Sequence, residues 1–237
     1  MTVVIRNRAA LAVTLALCGC RETTPSDYVP TRRIAALVDV TAEGADSATV
    51  RAELHADGAD SGTYVVLDSG DELSATADGR TKVLERAGEG VYEATFGSGE
   101  AMELTVTFDR AKHMDAPASK ATLPPPFTLA SPKAGEELSR AEDDLVIAWS
   151  PLGTVKGRVD LEGSCIAPLS RAIGEGMTEL VLGAGEVEPA AEQDADDACE
   201  VELVVTFSQE GSADPALDEE SRMTAHQVRR VLFTSAP

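Results

Sequence analysis

The chain has 237 residues, with 41 acidic side chains against 20 basic ones and a formal net charge of −21. A field of that sign repels nucleic acid and anionic lipid headgroups, which argues against both as partners held by charge. Aromatic residues make up only 4% of the chain, so a core has to be built from Val, Leu, Ile and Ala.

Residues 1–20 open on a short basic head, Arg6 and Arg8. The unbroken apolar run AALAVTLAL follows at 9–17, then Leu17-Cys18-Gly19-Cys20. That order of charge, apolar stretch and small residue is the pattern of a bacterial export signal. The run is too short to cross about 30 Å of hydrocarbon, which takes roughly 20 residues. A plain secretory signal ends at an A-x-A-like site and needs no cysteine, whereas two cysteines stand here where the cut falls. The closing tetrapeptide resembles a lipobox, the processing motif of bacterial lipoproteins. That resemblance implies cleavage before Cys20, which becomes the lipidated residue, because a cut before Cys18 would leave bulky Leu17 at the last signal position. Two or more acyl chains then hold the body on a membrane, each buried methylene contributing about 0.8 kcal/mol. Arg21 follows where lipoproteins kept on the inner membrane commonly carry aspartate. The expected location is therefore the cell envelope, lipid-anchored, with the outer membrane favoured. Losing the signal removes Arg6 and Arg8 and no acid, so the mature chain is more negative still.

Residues 20–33 are polar and carry Pro25 and Pro30, which predicts a flexible tether. From Ile34 the pattern changes to short β-like runs at 34–40, 49–55, 64–67, 72–76, 82–85, 91–96 and 102–108, separated by turn residues such as Asp57-Gly58 and Asp78-Gly79. The run at 102–108 alternates cleanly, Met102, Leu104, Val106 and Phe108 against Glu103, Thr105 and Thr107. One face is apolar and the other polar, as in a strand covering a packed core. Short strands at this spacing predict a β-sandwich over 34–115. Residues 116–126 hold Pro117 and the run Pro124-Pro125-Pro126, and predict a stiff, extended linker.

The second half, 127–237, begins with Phe127-Thr128-Leu129-Ala130-Ser131-Pro132, a Gly135 turn, and Leu145-Val146-Ile147-Ala148-Trp149-Ser150-Pro151. This resembles the opening of a fibronectin type III or related immunoglobulin-like domain. The resemblance implies later strands at 157–161, 179–182 and 199–207, and places the lone Trp149 in the middle of the sandwich. The chain departs from the pattern in lacking a tyrosine in the 199–207 strand, and its cysteines do not follow the antibody arrangement around a tryptophan. For residues 221–233 the spacing allows a helix or a strand; the need to cover a sheet edge favours strand over 225–234. The expected fold class is all-β, two tandem β-sandwiches of immunoglobulin or fibronectin III type after a cleaved signal peptide.

Little in the sequence carries chemistry. His55, His113 and His226 are scattered and lack metal-ligand spacing. Asp68-Ser69-Gly70-Asp71 is similar to a serine-protease loop, but no G-x-S-x-G elbow and no triad order accompany it. The acidic stretch 186–200 offers one candidate ligand set: calcium takes oxygen ligands from loops between strands, and Asp194, Asp196 and Asp197 are the residues that would supply them. The alternative is a plain solvated loop. Otherwise no cofactor is expected. Once Cys18 leaves with the signal and Cys20 is acylated, Cys165 and Cys199 remain, and an oxidising compartment favours pairing them. In fibronectin-like sandwiches the strands that flank these cysteines lie side by side, which the resemblance implies here too. The expected function is a non-enzymatic binding, adhesion or scaffold module, held to the membrane by its N-terminal lipid and meeting an envelope protein or polysaccharide, without nucleic acid. The alternative is an enzyme, or an enzyme accessory domain, acting on envelope polysaccharide.

Overall fold

The structure is a computed structural model that describes residues 22–237 apart from 69, 98, 100, 151–154 and 192–197. It is built of strands, in two sandwiches that share one sheet. The first half supplies β1 (Glu22–Pro25), β2 (Ile34–Ala42), β3 (Ala48–Ala56), β4 (Thr63–Val66), β5 (Glu72–Ala77), β6 (Arg80–Val83), β7 (Glu85–Gly88), β8 (Val91–Phe96), β9 (Glu103–Asp109) and β10 (Ala116–Thr122). The second supplies β11 (Leu129–Ser131), β12 (Glu137–Ser139), β13 (Leu145–Trp149), β14 (Gly157–Gly163), β15 (Leu169–Ile173), β16 (Glu179–Leu182), β17 (Cys199–Glu210) and β18 (Arg222–Ala236).

In the N-terminal sandwich β3 pairs with β2 on one side and with β8 on the other. This layer faces the sheet β10-β9-β5-β6. Alternation does the work that the sequence implies: Val38, Val40, Val50, Ala52, Leu104, Val106 and Phe108 turn inward while Asp39, Arg51 and Glu103 turn outward. In the C-terminal sandwich β18, β17, β14 and β15 face the small sheet β11-β13-β16. Trp149 is buried in that core, its ring 5.7 Å from that of Phe207, and its indole N–H donates to the Met177 carbonyl at 3.1 Å.

Strand β18 joins the two sandwiches. Its whole length runs antiparallel to β17, from Thr224 against Glu210 to Ser235 against Cys199. On its other edge Arg222–Gln227 lie parallel to Leu37–Ala42 of β2, and Thr234–Ala236 lie parallel to β12. Because side chains alternate with period two, one face of this strand feeds both cores: Met223 and Ala225 pack into the N-terminal cluster, Phe233 into the C-terminal one. Gln227 and Arg229 occupy the seam between them. Fully buried Gln227 donates to the Gly99 carbonyl at 2.6 Å. Arg229 donates to the Phe127 and Val228 carbonyls and lies over the Phe127 ring at 5.0 Å; burial lowers its pKa from the ordinary guanidinium value.

The hairpin connection between β17 and β18 also belongs to the N-terminal sandwich. Ser212 and Lys120 exchange backbone hydrogen bonds at 2.8 Å, Asp214 accepts from the Ala118 N–H, and Leu217 joins the N-terminal core. The close approach fixes residue 211 as glycine: a Cβ there would stand 2.1 Å from the Lys120 carbonyl oxygen.

Three expectations need correction. The tether proposed for 20–33 is ordered from Glu22 onward: β1 pairs parallel with β4, and two 3-10 turns, Ser26–Tyr28 and Thr31–Arg33, bury Ser26, Val29 and Thr31. The linker proposed for 116–126 is largely the strand β10, paired with β9 through a bulge between Ala116 and Ser119. Leu123 and Phe127, on either side of the three prolines, are both buried. Finally, a division at 126/127 does not separate the two cores, because β18 and the connection before it complete the first one. The strand expected over 225–234 extends over Arg222–Ala236. Among the described residues no helix is long and apolar enough to cross a membrane.

Candidate functional site

The outer face of the shared sheet carries polar side chains brought into register by the ladders. Across four strands stand Arg51 on β3, Asp39 on β2, His226 on β18 and Ser208 on β17. Asp39 and Arg51 are direct cross-strand partners, as are His226 and Ser208. The Ser208 hydroxyl lies 2.8 Å from His226 Nδ1, and His226 Nε2 lies 3.4 Å from Asp39 Oδ1. Arg51 continues the row to Glu93 of β8 at 2.6 Å.

Beside Ser208 and His226 an open groove of about 760 Å³ runs along the seam. Lys156 and Glu175 of the C-terminal sandwich form one wall. Ser208, Glu210, Thr224 and His226 form the other, on the parts of β17 and β18 that extend past β14 toward the N-terminal sandwich. The groove thus presents hydroxyl, imidazole, ammonium and carboxylate groups together. Donors and acceptors of this kind can hydrogen-bond a ligand's hydroxyl groups, beside an apolar portion that includes Val155.

The Ser208–His226–Asp39 set has the composition of a hydrolytic triad but not its geometry. In a working triad the imidazole takes the nucleophile's proton at Nε2 and gives its Nδ1–H to the carboxylate; here the two nitrogens are exchanged. The backbone amide of Ser208 donates to the Lys156 carbonyl at 3.1 Å, so it is not available as an oxyanion donor. The arrangement supports hydrogen bonding to a ligand rather than acyl transfer.

A second polar centre holds the start of the ordered chain. Arg110, whose side chain is wholly buried, donates from Nε to Asp71 at 2.8 Å. From Nη2 it donates to the Ser26 carbonyl at 2.7 Å and the Val29 carbonyl at 3.0 Å, and from Nη1 to Thr31 Oγ1 at 3.2 Å. Burial raises the Asp71 pKa, but hydrogen bonds from Ser26 and Ala111 and the Arg110 charge outweigh it and hold the carboxyl below its ordinary range. Around this clamp Lys112 reaches Asp27 at 2.8 Å, and His113 Nε2 lies 3.0 Å from the Asp27 carbonyl.

Cys165 and Cys199 are joined by a disulfide, with Cα atoms 5.6 Å apart. Its cause is local: β14 and β17 are antiparallel neighbours whose register runs to Gly163 against Val201, so the chain leaving one meets the chain entering the other. Cys20 lies outside the described residues, as do Asp194, Asp196 and Asp197. Among the described residues no group of three or more His, Cys, Asp or Glu side chains is placed to hold a metal ion. The three histidines remain apart. His55 is buried against the Tyr64 ring, His113 belongs to the clamp, and His226 stands in the groove. Reading the sequence missed the groove altogether, since Lys156 and Glu175 meet Ser208 and His226 only in the folded chain; Asp39, 187 positions from His226, reaches it through the parallel pairing of β2 with β18.

No protein-family model matches the chain, and no curated protein matches it. Among solved structures, the fibronectin(III)-like modules of Clostridium thermocellum CbhA align with 84% of this chain and 94% of their own, at 10% identity and a TM-score of 0.26. The Escherichia coli alpha-2-macroglobulin aligns over 86% of this chain but only 14% of its own, at 9% identity and a TM-score of 0.23. The Bacteroides ovatus protein SGBP-B, solved with a mixed-linkage heptasaccharide, aligns over 95% of this chain and 69% of its own, at 12% identity and a TM-score of 0.21. Similarity of this degree carries no argument about activity.

Proposed function

We propose that this chain is an envelope lipoprotein, anchored through Cys20, whose two fused sandwiches form a rigid non-enzymatic binding module for envelope polysaccharide. One observation carries the reading: the groove gathers hydroxyl, imidazole, ammonium and carboxylate groups where β17 and β18 run on past β14 toward the N-terminal sandwich. Ligand sites favour such junctions. A surface of hydroxyl, imidazole and charged groups exchanges hydrogen bonds with sugar hydroxyls at little cost, because each group lost to water is matched in the complex. The anchor rests on the lipobox-like tetrapeptide and is tested apart from the groove.

Two measurements test the reading. For the anchor, Cys20→Ala releases the protein into soluble fractions while Cys18→Ala leaves it on the membrane; attachment unchanged in Cys20→Ala refutes it. For the groove, the soluble Cys20→Ala protein is retained on immobilised envelope polysaccharide, and His226→Ala with Ser208→Ala weakens retention roughly tenfold or more, as expected for two lost hydrogen bonds of about 1 kcal/mol each. Retention that is absent in the parent, or equal in the groove variant, overturns the polysaccharide reading. Release of new reducing ends from the polysaccharide would replace it with the enzymatic alternative.

A further inference from the structure

Tyr28 and Met114 are the most exposed large apolar side chains among the described residues, at 76% and 72%. They sit on two segments far apart in sequence that are bound to each other. Thr31 Oγ1 donates to the Met114 carbonyl at 2.5 Å, His113 Nε2 lies 3.0 Å from the Asp27 carbonyl, and Lys112 pairs with Asp27. The Arg110 guanidinium holds the first segment to the sheet, and its backbone N–H donates to Asp115 of the second. Two apolar side chains are thus displayed on a rigid base, where a soluble protein gains nothing from showing them to water.

The charges around them are mixed, and most are paired with one another. Lys112 and Arg32 are exposed nearby. Of the nearby carboxylates Asp71 is engaged with Arg110, Asp27 with Lys112, and Asp115 with the Arg110 backbone N–H, while Asp68 also attracts the Lys112 ammonium, so Arg32 is the exposed cation left beside the pair. A tyrosine with an apolar body and polar tip, beside a methionine and a lysine, is the combination that settles at the boundary between headgroups and acyl chains.

The place of this patch along the chain identifies what covers it. Tyr28 stands at the end of a surface segment that begins with β1, and Cys20 is only eight positions before it. Eight residues reach at most about 29 Å when fully extended, and β1 itself lies along the surface with three of its four residues exposed. We infer that the Tyr28–Met114 patch rests on the bilayer that holds the acyl chains of Cys20, as a second point of attachment that fixes the orientation of the body. The inference rests on the anchor proposed above. A body held at Cys20 alone would pivot; with the patch seated as well, β1 lies along the membrane surface.

The test uses the full lipidated chain reconstituted in phosphatidylethanolamine vesicles in which part of the lipid carries bromine high on the acyl chain. Tyr28→Trp, Met114→Trp and, as a control on an exposed strand of the C-terminal sandwich, Val181→Trp are compared. Buried Trp149 supplies a constant background. Seating on the bilayer quenches most of the new emission at 28 and at 114 and leaves that at 181 unchanged. Protein that floats with the vesicles while 28 and 114 stay as bright as 181 overturns the inference and leaves the anchor standing. Protein that fails to float overturns the anchor, and the inference with it. A Tyr28→Ser, Met114→Ser variant gives a second reading: still vesicle-bound through its lipid, it exposes Arg32 and Arg33 to trypsin several-fold faster than the parent, and equal rates count against the patch.

Discussion

Arg110→Met removes the charge that holds the first ordered residues against the sheet. Its guanidinium serves Asp71, Thr31 and the carbonyls of Ser26 and Val29, and the Arg110 and Asp71 side chains are 0% and 2% exposed. Methionine keeps much of the volume but loses the hydrogen bonds and the guanidinium that lies over the Phe108 ring at 4.7 Å, so the loss is mainly electrostatic. Removing one partner of a buried pair costs about 3–5 kcal/mol, because the other charge stays buried and uncompensated. For a chain of this size that corresponds to a fall in Tm of roughly 6–20 °C. The assay is thermal and guanidinium unfolding of the soluble Cys20→Ala protein at pH 7. The same reasoning fixes two further results. The double variant Arg110→Met, Asp71→Leu recovers much of the loss, since no unpaired charge remains. The pH dependence follows from the depressed Asp71 pKa: the stabilisation is fully present above the unfolded carboxylate value of about 3.9 and is lost as pH falls through the lower folded value, so the gap between parent and variant closes only in that acid range. A single variant within about 1 kcal/mol of the parent, or a double variant no better than the single, refutes the clamp.

Replacing both Cys165 and Cys199 by serine opens a link across 34 positions and lowers stability by about 3–4 kcal/mol, a loss that reductant reproduces in the parent. Two alkylatable thiols in freshly exported protein would contradict the bridge. Gly211→Ala forces a Cβ onto the Lys120 carbonyl and costs about 1–3 kcal/mol, read as a lower urea midpoint with unchanged slope. An unchanged midpoint would mean that β10 and the hairpin connection yield more easily than their hydrogen bonds indicate.

The strands that were legible in the sequence are those whose one-sided burial writes itself as alternation. Val91–Phe96 and Glu179–Leu182 fall where the pattern puts them, and β9 and β17 differ from it only at their ends. What escaped depends on distant partners. Ala116–Thr122 carries Pro117 and a bulge, so its alternation breaks and it reads as linker. Residues 22–33 are polar and proline-bearing; their order comes from Arg110, some 80 positions later. The groove needs Lys156 and Glu175 beside the β17–β18 ladder, and Asp39 reaches His226 only through parallel pairing between strands from opposite ends of the chain; no local pattern encodes either.

The shared strand also has a consequence for the order of events in making the protein. Ala36 receives its partner from Ser221, and β2 its neighbour from Arg222–Gln227, some 185 positions downstream. As the chain is made, N-terminus first, the early segments therefore emerge with one edge of their sheet open and part of their core missing. Local pairing among β2, β3 and β8 can begin at once, but closure of the first sandwich waits for the arrival of β18. Until then the unpaired side of β2 is exposed to other chains. Folding of the front half is thereby tied to completion of the back half, and a chain cut before Arg222 keeps the edge of β2 open.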